Sequence, residues 1–324
     1  MPALAVEIRG EKRSLPLRNP VMVASGTFSN GLEYARVIDI ERLGAIVSKG
    51  VTPRPRHGNE TPRTVETAAG MLNSIGLQNI GVSALIKEVA PIWARWDVPV
   101  IVNIAGADPE EFALLAARLE GVDGVAALEI NVSCPNVSHG LDYGQDPVMA
   151  AEVVAAVSSA STLPLIVKLT PNVTDASEVA EAVAAAGASA LTVANTFLGM
   201  AIDVQRRRPV LPGVFGGLSG PAIKPLALRF VYEVSQAVEI PVIGCGGIMS
   251  GLDAVEYLMA GATAVQVGTA TFQDPQRPLQ VLDELTAFLE GEGVKDVAEI
   301  IGAAQVGRPG AGLPAARPVA EALS

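Results

Sequence analysis

PLIVKLT, residues 164 to 170, is a short apolar run broken by one charge. Side chains on an extended strand alternate between two faces, so Leu165, Val167 and Leu169 share one face and Lys168 falls on the other. Seven more runs share this β-branched build: VMVASG (21 to 26), AIVSKG (45 to 50), VPVIVNIA (98 to 105), ALEINVS (127 to 133), ALTVANT (190 to 196), PVIGCGG (241 to 247) and AVQVGTA (264 to 270). Between them the spacing predicts helices at 82 to 94, 108 to 120, 146 to 160, 175 to 186, 222 to 238, 252 to 260 and 276 to 290. Asp108-Pro109 and Asp146-Pro147 each place a capping carboxylate ahead of a proline suited to a first helical turn.

Parallel strands need crossover connections, and eight of them alternating with helices are best closed into a (β/α)₈ TIM barrel, which leaves no free edge. An open doubly wound sheet would be expected to carry GxGxxG at a strand-to-helix turn, and the chain has none. Three connections exceed simple loops: 51 to 81 after the second strand, 134 to 145 after the fourth, and 197 to 221 after the sixth. The barrel domain is placed at residues 1 to 301, followed by an Ala/Pro/Gly-rich tail at 302 to 324.

Composition narrows the function. Hydrophobic residues make up 49% of the 324 and aromatics only 4%, as expected of buried parallel strands packed with aliphatic side chains. Lys plus Arg total 23 against 34 Asp plus Glu; the net charge of −11 repels nucleic acid. Two cysteines, Cys134 and Cys245, cannot build a disulfide framework or ligate an iron–sulfur cluster alone, and the chain is expected to be cytoplasmic. Residues 182 to 202 carry no charge, but Gly187, Asn195 and Gly199 break them into helix end, turn and strand, so no membrane span is expected. With only His57 and His139, a His-ligated metal site is not expected.

Barrel enzymes place their chemistry at the carboxyl ends of the strands. Here those ends read Ser25-Gly26, Lys49-Gly50, Asn103, Asn131, Lys168, Asn195-Thr196, Gly246-Gly247 and Gly268-Thr269. Lysine is rarely buried without a partner, so Lys168 inside a barrel calls for an anionic or electron-rich ligand. The amide of Asn131 suits a heterocycle edge. The glycine turns GCGGI and VGTA bring main-chain N–H groups side by side, as a phosphate requires, and flavin barrels share that feature with phosphosugar isomerases and lyases. Cys134 follows strand four on a loop with Gly140 and Gly144, where a thiol titrating at about 8.5 can serve as a base. Cys245, in a glycine turn, reads as a buried structural thiol.

In this order the motifs ASGTF, SKGVT, GMLNSIGLQN, EINVSCPN, VKLTPNVTD, ANTFLGM, GGLSGPAIKP, GCGGI and VGTA resemble the class 1 dihydroorotate dehydrogenases over residues 4 to 290, and within them the NAD-linked class 1B catalytic subunits. The fumarate-linked class 1A more often has proline where this chain has Gln78, and class 2 uses a serine base. The resemblance implies FMN on the barrel mouth, its phosphate held at Gly246, Gly247, Gly268 and Thr269, with Ser25, Lys49, Gly50, Asn103, Asn131, Lys168, Ala194 and Gly220 as further contacts. It implies dihydroorotate held by Lys49, Asn73, Ser74, Ile75, Gly76, Leu77, Asn131, Asn195 and Thr196, with Cys134 as the catalytic base. It also implies a homodimer joined to a subunit carrying FAD and a [2Fe–2S] cluster, a heterotetramer that reduces NAD⁺ in pyrimidine biosynthesis. A fumarate-linked class 1A enzyme and a flavin-free phosphosugar barrel stand as the alternatives.

Overall fold

The computed structural model describes residues 1–133 and 143–306. Eight parallel strands close into a barrel: β1 (Val21–Val23), β2 (Ala45–Val47), β3 (Val100–Ile104), β4 (Ala127–Asn131), β5 (Leu165–Lys168), β6 (Ala190–Val193), β7 (Val242–Cys245) and β8 (Ala264–Val267). All eight strands fall within the runs read from the sequence. Strand β8 returns to β1, pairing Gln266 with Met22, and this closes the barrel.

The side-chain period of two sorts the barrel interior into layers. Met22, Ala45, Ile101, Ala127, Ile166, Ala190, Ile243 and Ala264, near the amino ends of the strands, join one buried apolar cluster. Four of these eight are alanine. Into that cluster pack Ile8, Leu15 and Leu17 from an antiparallel hairpin, Val6–Ile8 paired with Leu15–Leu17, which stoppers the amino-terminal end. Two residues further along the strands the inward positions turn polar: Asn103, Glu129, Lys168, Thr192 and Gln266 are all buried. A dry floor therefore lies beneath a polar layer, and the mouth lies above both.

Helices cover the outside as the spacing predicts. In Pro109–Leu119 the buried residues Phe112, Leu115, Ala116 and Leu119 form one stripe. Asp108 caps it by accepting from the Glu111 N–H at 2.8 Å, an arrangement worth about 1 kcal/mol. The helix expected at 82 to 94 widens to a π-helical segment at Leu85–Val89. Pro91 supplies the reason, since it has no N–H for the carbonyl four residues back and its ring crowds that carbonyl. Between β1 and β2 the crossover contains only the 3₁₀ turns Tyr34–Arg36 and Ile40–Arg42. Among the described residues no helix is long and apolar enough to cross a membrane, and no cluster of His, Cys, Asp and Glu could hold a metal. Residues 302 to 306 continue along the barrel, with the Gly302 and Ala304 N–H groups donating to Leu258 and Met259.

The hairpin side carries a pH-sensitive fastening. Glu120 accepts from the Ser161 hydroxyl at 2.6 Å and from the Thr162 N–H and hydroxyl at 2.8 Å, and faces Arg13. Burial alone would push its carboxyl up, but these donors outweigh it and hold the group at about 2, below its ordinary 4.5. A depressed folded-state value stabilises the fold above the unfolded value, and that contribution fades as pH falls from about 4.5 towards 2. Glu120→Gln should therefore destabilise the chain near neutrality, with the gap from wild type closing as pH falls through that window in urea titrations. A gap independent of pH would count against it.

Candidate functional site

The insertions after β2 and β6 meet over the mouth in one antiparallel sheet, ordered Phe197–Gly199, Gly216–Ser219, Gly70–Asn73, Thr64–Thr67. Close approach requires glycine here. A Cβ on Gly217 would stand 2.0 Å from the Thr196 hydroxyl, and one on Gly220, whose φ is +97°, would meet the Gly70 Cα at 2.7 Å. The Thr269 hydroxyl donates to Ser219 at 2.8 Å, tying the sheet to the end of β8.

Asn73 to Leu77 leave this sheet as a braced loop. Asn73 donates its amide to the Gly217 carbonyl at 3.1 Å, Asn59 donates to the Ser74 carbonyl and hydroxyl, and the Ile75 carbonyl accepts from the Asn59 N–H. Gly76 and Leu77 both hold positive φ. A Cβ on Gly50 would lie 2.8 Å from Asn103 Oδ1 and 3.5 Å from Leu77, which places this loop beside the end of β2.

Lys49 stands there half-buried. Burial and the nearby Arg63 charge both push its ammonium group below the ordinary lysine value. Arg63 in turn donates to neutral acceptors, the carbonyls of Asn59 and His57 and the Gln78 side chain. Among the described residues no carboxylate pairs with either cation. Two uncompensated positive charges make a seat for an anion. At the ends of β4 and β6, Asn195 donates its amide to Asn131 Oδ1 at 3.4 Å and accepts from the Thr196 N–H at 2.8 Å. The neutral amides expected on β4 and β6 are thus brought together.

Lys168 points inward as the alternation requires and is only 4% exposed. Its Nζ lies 3.4 Å from Gln266 Oε1, 3.5 Å from the Ser25 hydroxyl and 3.9 Å from Cys245 Sγ. Burial would lower its affinity for a proton, but Cys245 and the Glu129 carboxylate outweigh that and hold it above the ordinary lysine value. Cys245, read as a buried thiol, is buried, and burial pushes its titration up. Asn103 reaches the same layer but donates its amide to Glu129 at 2.8 Å, leaving its oxygen towards Gly50.

The two glycine turns form a cradle. Gly246 and Gly247 hold φ of +139° and +68°, and a Cβ on Gly247 would lie 2.7 Å from Lys224. Gly268 differs, because a Cβ there would meet Ala24 at an ordinary 3.4 Å, so the protein's own packing does not demand glycine. Its inward register, two residues past Gln266, keeps that space open to the mouth. The main-chain N–H groups of Gly247, Gly268 and Thr269 donate to no backbone carbonyl among the described residues. A phosphate-bearing ring ligand fits this donor set, with the cradle at one end, Lys168 below and the amides and Lys49 above. Ala194 also lines this end of β6 and is buried. Cys134 and His139 lie outside the described residues.

Sequence reading passes over Glu129, Thr192 and Gln266 as site residues, although each interrupts an apolar run at an inward position. It also passes over Arg63 and Asn172, whose amide donates to the Thr196 carbonyl at 3.3 Å.

A family model for dihydroorotate dehydrogenase matches residues 4–289. The chain is 54% identical over 303 residues to the dihydroorotate dehydrogenase B (NAD(+)) catalytic subunit of Trichlorobacter lovleyi, covering 93% of this chain and 98% of that one. It is 54% identical over 306 residues to the subunit of the same name from Geobacter sulfurreducens, covering 94% and 99%. With nearly its whole length matched and its barrel, anion seat and glycine cradle in place, the chain belongs to the dihydroorotate dehydrogenase family.

Proposed function

We propose that the chain oxidises dihydroorotate to orotate in pyrimidine biosynthesis, with FMN at the barrel mouth, and that its electrons pass to NAD⁺ through a partner subunit. The observation that carries this reading is that the carboxyl end of the barrel holds both an uncompensated pair of cations, Lys49 and Arg63, and the joined amides of Asn131 and Asn195. Dihydroorotate is a neutral ring bearing one carboxylate, so it needs a cation at one end and paired donors and acceptors along its edges. Phosphosugars offer no such ring edge.

In this reading Lys49 holds the carboxylate, while Asn73, Asn131, Asn195 and Thr196 fix the ring and the loop Ser74 to Leu77 covers it. The phosphate of FMN would lie at Gly246, Gly247, Gly268 and Thr269, and Ser25, Gly50, Asn103, Ala194 and Gly220 would line the ring system. When bound, FMN supplies the acceptor for the hydride leaving C6 of the substrate. Cys134 takes the proton from C5, so the C5–C6 double bond forms with both hydrogens accounted for. Lys168, buried at the floor of the mouth, would supply a positive charge to stabilise the reduced flavin.

The catalytic domain would be residues 1 to 301; the relatives' designation as a catalytic subunit supports a partner subunit, which in this reading carries FAD and a [2Fe–2S] cluster and joins a homodimer of this chain. The test is direct. The purified chain should be yellow, and with a dye acceptor it should convert dihydroorotate, but not dihydrouracil, to the unsaturated ring. Equal turnover of the two substrates would remove the carboxylate seat from the reading, and a colourless chain would remove the flavin.

A further inference from the structure

Glu129 takes no part in the chemistry above, yet it is fully buried in the polar layer. Its Oε1 accepts from the Asn103 amide at 2.8 Å, and its Oε2 from the Thr192 hydroxyl at 2.9 Å and the Gln266 amide at 2.8 Å. Three donors converge on two oxygens, as suits a carboxylate. A buried carboxylate needs a compensating charge, because an isolated one loses its hydration with nothing to replace it. Lys168 is the cation of this layer, but the two do not touch within ion-pair distance, and Gln266 stands between them. Its Nε2 faces Glu129 while its Oε1 faces Lys168 Nζ at 3.4 Å. A primary amide has one donor end and one acceptor end, so a carboxylate on one side obliges it to present its carbonyl on the other. Among the described residues the other groups within reach of Lys168 Nζ are the Ser25 hydroxyl and the Cys245 sulfur, which burial pushes towards its neutral thiol form.

We infer that Glu129 and Gln266 are positioning residues for Lys168, fixing its ammonium group under the flavin seat and thereby setting the flavin's reduction potential, an inference that rests on the flavin reading above. A two-electron reduction adds negative charge to the flavin, and a fixed cation nearby stabilises the reduced form more than the oxidised one. Glu129→Gln keeps the shape and removes the charge. Lys168 then loses the fixed carboxylate charge of its layer and keeps only the Cys245 sulfur, which burial itself pushes towards the neutral thiol, so burial weighs more heavily against the ammonium form.

The experiment measures the midpoint potential of the FMN-loaded chain as wild type, Glu129→Gln, Lys168→Ala and the double variant. The potential should fall in Glu129→Gln as it falls in Lys168→Ala, and in the Lys168→Ala background Glu129→Gln should produce no further fall. An unchanged or raised potential in Glu129→Gln, or an equal additional fall without Lys168, overturns the inference. Should Glu129→Gln fail to fold, Gln266→Met serves instead, since it keeps the volume and leaves Glu129 with Asn103 and Thr192. A lowered potential in that variant supports the relay, and an unshifted one overturns it. A colourless wild-type chain overturns the flavin reading and this inference together, whereas a flavin-bearing chain with an unshifted Glu129→Gln potential defeats this inference alone.

Discussion

Cys134→Ala should leave FMN bound and slow flavin reduction by dihydroorotate by about 10²- to 10⁴-fold, the range expected when a positioned base is removed from a rate-limiting proton transfer. The expectation combines chemistry with position. Loss of hydride from C6 builds a double bond only if the C5 proton also leaves, and among the described residues none of the groups gathered at the mouth suits a base near neutrality. Lys49 and Lys168 are cations, and Asn131 and Asn195 are amides without a titrating proton. Cys134 lies outside the described residues, but Ser133 and Gly144 on either side of that segment are tied beside the end of β4. The Ser133 hydroxyl donates to the Lys168 carbonyl at 3.3 Å, and the Gly144 N–H donates to the Val132 carbonyl at 3.0 Å. Serine at this position is a far weaker acid, so Cys134→Ser should regain part of the rate only at raised pH. Stopped-flow reduction of each variant checks both statements, and near-normal reduction by the alanine variant at neutral pH would remove Cys134 from the role.

The barrel strands are legible because burial on both faces demands near-continuous β-branched runs, and β5 through β8 announce themselves as LIVK, ALTV, VIGC and AVQV. Lys168 is legible because a lysine in such a run has only one place to go. Gln266 and Thr192 are harder to read, since a single uncharged polar residue in a strand is as readily a solvent-facing one. Their meaning comes from Glu129, which lies 137 and 63 positions away along the chain. Glu129 is visible on the face of Asn131, but nothing near it in sequence says that its partners come from β3, β6 and β8. The amino-terminal hairpin escapes for a different reason. VEI and LPL are three-residue strands separated by the polar stretch Arg9 to Ser14, and Pro16 demotes the second in any reading by propensity. Only the space left by the inward alanines of the barrel explains why Ile8, Leu15 and Leu17 are buried. The sheet over the mouth is hidden in the same way, because Met71 pairs with Ser219 across two separate insertions.

NAD⁺ should not be reduced by this chain alone, and should be reduced when a partner carrying FAD and a [2Fe–2S] cluster is co-expressed with it. The sequence has no GxGxxG at a strand-to-helix turn, and its two cysteines fall short of the four ligands that such a cluster takes. Cys245 is further disqualified as a ligand, since it is buried in the barrel against Lys168. Electrons arriving on FMN must therefore leave through a small acceptor entering the mouth or through a second protein docked within transfer distance. The relatives are named both NAD(+) enzymes and catalytic subunits, and a division of labour between subunits accounts for both words. The expected result is dihydroorotate oxidation with a dye by the isolated chain, at most a trace of NADH, and robust NADH formation by the co-expressed complex. Rapid NAD⁺ reduction by the isolated chain would place a nicotinamide site on this barrel. Efficient fumarate reduction would instead make the mouth serve both half-reactions in turn, with the substrate and the acceptor competing for Lys49.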